Sequence, residues 1–242
     1  MKSLLDLTRS QPTSSALLNV LHILSALIAV VLLVFLGKLG LSLLLETFSS
    51  PSATGISILL AIILSQATFL SGGYLLTKLT GTVIESHYPS RDDLYEIAIA
   101  VIGSTLLMMV LLVLQVSFGL TAESELGTQQ QAIWFTVGLF LLNIFLVAPS
   151  EEYLFRGGIQ GTLRQSFGPA VSIFATSALF GLFHAANYSG SVPEVATSVT
   201  VIALVSVPFA IAYERTQNIV VPMAAHALYN SILIGNTLLS LF

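Results

Sequence analysis

The 242-residue chain predicts an all-α fold, a polytopic transmembrane bundle of about seven spanning helices. Hydrophobic residues make up 55% of the sequence and charged residues 8%, with a mean hydropathy of +0.92, whereas a soluble domain carries roughly 25% charged residues. The apolar residues also fall into runs of about 20, the length a helix needs to cross some 30 Å of hydrocarbon. A net charge of −4 from so few ionisable groups says little about partners. No basic patch interleaved with aromatics is present, which excludes nucleic acid as a partner. With no cysteine there is no disulfide, thiolate nucleophile or Cys-ligated metal, so a metal would need His and carboxylate ligands.

Residues 1–15 are polar, and 16–36 form an apolar run longer than the core of a cleavable signal, predicting an uncleaved first span. A second span is expected at 56–76, after the breaker Ser50-Pro51-Ser52, and a third at 94–118. Gln66 and Gln115 inside these spans read as interhelical hydrogen-bonding residues. After the acidic loop 121–131, a fourth span runs from Ala132 into Ala148-Pro149-Ser150-Glu151-Glu152-Tyr153-Leu154-Phe155-Arg156-Gly157, with Pro149 expected to kink or restart it. Spans five, six and seven are expected at 170–186, 196–212 and 219–239, with more polar content than the first three. No internal repeat or linker divides the chain. Residues 1–242 thus read as one membrane domain, with N-terminal helices without motifs in 1–131 and motif-bearing helices in 132–242. With seven spans and the N-terminus inside, Lys2, Arg9, Lys78, Arg91, Arg156, Arg164 and Arg215 fall on the cytoplasmic side and Lys38 outside. Basic residues accumulate in cytoplasmic loops, so the expected topology is N-in and C-out, in a cell membrane, with the glutamates near the cytoplasmic end of their span.

Charge at bilayer depth is expensive, so the Glu-Glu-Arg cluster is the candidate functional site. On a helix Glu152 and Arg156 share a face, while Glu151 points about 100° away and has no cation at helical spacing. One carboxylate is paired and the other is free for chemistry. The i to i+4 spacing recurs in Phe180 with His184 and in His226 with Asn230. Three helices could therefore turn Glu151, His184, His226 and Asn230 into one cavity. His22 stands alone in the first span and His87 in a loop, and both read as structural. Gly157-x-x-x-Gly161 lacks the strand of a phosphate loop and reads as a close helix contact.

Glu151-Glu152-Tyr153-Leu154-Phe155-Arg156, Phe180-x-x-x-His184 and His226-x-x-x-Asn230, in this order, resemble the motifs of the CAAX-prenyl protease and bacteriocin-processing family, the CPBP or Abi intramembrane proteases. Ala-Pro before the glutamates, Phe-Arg-Gly after them and Tyr213-Glu214-Arg215-Thr216 agree with the resemblance, which covers about residues 145–232. It implies an intramembrane endopeptidase acting on a membrane-associated protein or peptide, without a cofactor, cutting near the cytoplasmic side. The desolvated, unpaired Glu151 suits general-base activation of water, His184 can hold that water, and His226 and Asn230 can donate to the oxyanion. The resemblance assigns the same roles, with Glu152 orienting the site through Arg156. Two alternatives stand beside this reading: a zinc protease using the histidines and a carboxylate as ligands, and a non-enzymatic immunity or scaffold protein.

Overall fold

The computed structural model describes residues 13–45, 51–124 and 133–239, and over these the apolar runs become helices. Lys2 and Arg9, Ser50 of the breaker, and residues 125–131 of the acidic loop lie outside the described residues. The helices are α1 (Thr13–Leu45), α2 (Pro51–Thr80), α3 (Arg91–Ser117), α4 (Ile133–Arg164), α5 (Pro169–Phe183), α6 (Val192–Thr216) and α7 (Val220–Leu239). Two short strands, β1 (Glu123–Ser124) and β2 (Tyr188–Ser189), pair antiparallel and tie the loop after α3 to the loop after α5. Among the described residues α1 to α6 are long and apolar enough to cross a membrane. Helix α7 has the length, at 20 residues, but His226, Asn230 and Asn236 lower its hydropathy. The chain is a multi-pass, all-α membrane protein.

Local sequence explains where the helices begin. Ser90 and Asp93 form a reciprocal capping box at α3, Asp93 N–H donating to Ser90 Oγ at 3.1 Å and Ser90 N–H to Asp93 Oδ2 at 2.9 Å. Ser191 and Glu194 do the same at α6. Pro51, Pro169 and Pro193 stand in first turns, where no N–H partner is lost.

Pro149 neither stops nor restarts α4. The turn before it, Asn143–Val147, is π-helical, and a second π-helical stretch covers Tyr153–Gln160. The wider turn takes up the proline ring and its missing donor, so the helix passes through at the cost of a local bulge.

Helix α4 is central, packed against α2, α5 and α7, and α3 joins α7 to α6. One apolar cluster, including Ile23, Leu76, Leu154, Phe155 and Phe180, joins α1, α2, α4 and α5; a second, including Ile97, Val205, Phe209, Val221 and Tyr229, joins α3, α6 and α7. Lipid tails are as apolar as leucine, so these contacts stabilise through close packing rather than water exclusion. At Gly73 a Cβ would stand 3.1 Å from the Leu154 Cα, so the backbones of α2 and α4 approach closely there. Gly157 and Gly161 are also close-packed, but against Ile84 and Thr82 of the loop after α2 rather than against a helix. Gln115 ties α3 to α6 through Ser198 Oγ at 3.2 Å, and Gln66 ties α2 to α4 through Ser150. The interhelical reading of both glutamines holds.

Candidate active site

The position of the two glutamates on α4 separates their roles. Leu139, Asn143, Val147 and Glu151, each four residues on, line one wall of a cavity of about 370 Å³. Glu152 turns into the protein and is 0% exposed, as is Arg156. Its Oε1 accepts from Arg156 Nη1 at 3.2 Å and from His226 Nδ1 at 2.8 Å. Arg156 donates Nη2 to the Ser206 carbonyl at 2.9 Å and lies 4.8 Å over the Phe180 ring. The latter geometry adds a cation–π contact where water is excluded.

A buried charge pair persists only when its remaining hydrogen-bonding groups are largely satisfied. Here α6 supplies part of that support. Pro208 lies inside α6, and the carbonyls of Val205 and Ser206 just before it accept from Ser104 Oγ at 2.9 Å and from Arg156.

The histidines have defined tautomers. His184 Nδ1 lies 2.8 Å from the Phe180 carbonyl, which can only accept, so Nδ1 carries the proton and the neutral ring offers a lone pair at Nε2. His226 gives its Nδ1 proton to Glu152, is stacked on Phe209 at 5.2 Å, and brings Nε2 to 3.9 Å from Glu151 Oε2. Asn230, one turn further along α7, is half-buried on the same cavity wall. The six expected residues therefore meet: Glu151, His184, His226 and Asn230 at the cavity, with Glu152 and Arg156 behind them. His22 and His87 do not line it. His87 instead joins Asn218, which donates to its Nδ1 at 3.2 Å and its carbonyl at 3.1 Å.

Other residues at the cavity were not assigned to it from the sequence, where Gln66 reads only as a helix-joining residue. Gln66, Asn143, Tyr188 and Phe209 all line the cavity. Burial pushes the Tyr188 phenol above its ordinary value, so its hydroxyl remains a proton donor through the neutral range. Asn143 crosses to α7, donating Nδ2 to the Ala227 carbonyl at 2.9 Å.

Helix α4 continues past the glutamates through Tyr153–Gln160 and Gly161–Arg164. From the level of Glu151 the cavity extends towards Leu139, Tyr188 and Ile234. That is the half of the bundle away from Lys78, Arg91, Arg164 and Arg215.

Among the described residues no three His, Asp or Glu side chains come together in a way that could hold an ion. The two histidines place their Nδ1 atoms on a carbonyl and on Glu152, which leaves Nε2 of each towards the cavity.

Residues 132–232 match the family described as type II CAAX prenyl endopeptidase, Rce1-like. No curated protein and no solved structure matches the chain. The match covers all three motifs, from the glutamates on α4 to Asn230 on α7. Over residues 132–232, about two fifths of its length, the chain is similar to the Rce1-like endopeptidases of the CPBP family.

Proposed function

We propose that the protein is a glutamate-dependent intramembrane endopeptidase that hydrolyses a peptide bond at mid-depth in the bilayer. The observation that carries this is the division of labour on α4: Glu151 faces the cavity while Glu152 is held by Arg156 and His226. The Glu151 carboxylate takes a proton from water, and His184 Nε2 accepts the water's second hydrogen bond. The water oxygen attacks the carbonyl carbon, and the oxyanion accepts from the Asn230 amide and from His226 Nε2. His226 donates there only when its ring carries both protons, since Nδ1–H is already given to Glu152. When the carbon–nitrogen bond breaks, Glu151 returns its proton to the leaving amine.

This mechanism requires no metal. Purified protein is expected to contain no stoichiometric zinc and to keep its activity after prolonged treatment with a membrane-permeable chelator. Asn230→Ala should lower turnover by about 10² to 10³, the usual effect of losing an oxyanion donor. About one zinc per chain, with activity lost on removal and restored on return, would make the histidines ligands and sink the glutamate mechanism.

The side of cleavage follows from orientation. With the basic loops cytoplasmic, the cavity extends from Glu151 towards the opposite face, and the bond is cut in that half rather than near the cytoplasmic end. The chain has no cysteine, so single introduced cysteines report without background. Ser86→Cys, in the exposed loop after α2, should react with an impermeant maleimide only from the cytoplasmic side, and Ser189→Cys, on β2, only from outside. The reverse labelling would invert the topology and the side of cleavage with it.

A further inference from the structure

We propose that Gln66 of α2 is a substrate-binding residue that donates its side-chain amide to a main-chain carbonyl of the bound peptide. This rests on the protease reading above and extends it to a helix outside the matched residues 132–232. Gln66 is 6% exposed and lines the same cavity as Glu151. Its Oε1 lies 2.5 Å from Ser150 Oγ. A separation that short suits a hydroxyl donating to oxygen, which sets the amide oxygen towards Ser150 and its nitrogen away; the Val147 carbonyl, 3.0 Å from the same hydroxyl, is the other acceptor within reach. Nε2 then has two protons and no acceptor among the described residues, and it is not an occluded atom.

A buried amide donor without an acceptor costs free energy unless something fills it. The wall around it is mainly apolar, with Ile62, Val147 and Phe209 among its residues, so a bound peptide would find few donors for its own carbonyls there. Ser150 immediately precedes Glu151, so the anchored amide is held beside the catalytic carboxylate. Helix α4 lies between α2 and α7. His226 and Asn230 approach Glu151 from the α7 side and Gln66 from the α2 side. The oxyanion belongs to the α7 donors, and Gln66 takes a neighbouring carbonyl that does not react. A contact of this kind holds ground state and transition state alike, so its loss should raise KM more than it lowers kcat.

The probe is a fluorescein-labelled peptide spanning the cleaved bond of whichever membrane protein accumulates uncut when Glu151 is replaced by Gln. Its binding is measured to the inactive Glu151→Gln protein with and without Gln66→Met, which keeps the length of the side chain and removes the donor. About tenfold weaker binding is expected from the lost hydrogen bond. Ser150→Ala in the same background frees the amide to rotate and should weaken binding by a smaller factor. Gln66→Met that lowers only the melting temperature, with the peptide bound as before, would make Gln66 structural and overturn the proposal. Absence of any accumulating protein removes the protease reading first, a failure visible before the Gln66 comparison begins and fatal to both.

Discussion

Glu151→Gln abolishes proteolysis, with turnover reduced by at least about 10³, because the amide keeps the shape of the carboxylate and cannot accept the water's proton. Little else should change. Glu151 has no hydrogen bond from Arg156, and its nearest cationic partner, His226 Nε2, stands at 3.9 Å, beyond hydrogen-bonding range. The variant should insert, fold and melt as the native protein does. Comparative proteomics of membranes from native and Glu151→Gln strains should then reveal at least one protein uncut only in the variant. No residue in the sequence selects that substrate, so the comparison also identifies it. Full activity of Glu151→Gln on a verified substrate would remove Glu151 from the role of base.

Glu152→Gln and Arg156→Ala should lose both activity and stability, by roughly 3 to 5 kcal/mol each, since each leaves a buried charge without its partner. Both side chains are 0% exposed, and neither charge can reach water or lipid headgroups. In Glu152→Gln, Arg156 keeps the Ser206 carbonyl and the Phe180 ring but no anion on its own helix turn. In Arg156→Ala, Glu152 keeps only His226. The double variant Glu152→Gln with Arg156→Met removes both charges, and it should recover much of the stability while staying inactive. Thermal unfolding in one detergent, beside activity on the same samples, checks this. Single variants as stable as the native protein would show that the pair is not a structural charge pair. A double variant that regained activity would show that Glu152 is not needed to orient His226.

Much of this was legible in the residues. Among the described residues the seven expected runs are helical and six of them are long and apolar enough to span, because in a bilayer a backbone must satisfy its own hydrogen bonds and a run of about 20 apolar residues leaves a helix as the answer. The pairing of Glu152 with Arg156 was legible too, since i to i+4 neighbours share a face whatever surrounds them. Pro149 was harder: proline predicts trouble for a helix, but whether a π-turn absorbs it depends on what packs around the bulge.

The sequence by itself determined the fold class, the six polar residues of the candidate site that the structure brings together, and the pairing of Glu152 rather than Glu151 with Arg156, because these depend on hydrophobic length and local helical spacing. Only the tertiary structure decided the rest. It brings Glu152 to His226, seventy-four residues on, fixing that ring's tautomer. It gives Arg156 a backbone carbonyl of α6 and the face of Phe180. It carries α4 on past the glutamates to Arg164, and it puts Gln66, which joins α2 to α4, on the wall of the cavity. Each of these is a contact between helices far apart in the chain, and such contacts are selected by the close packing of whole helix faces, which no local spacing encodes.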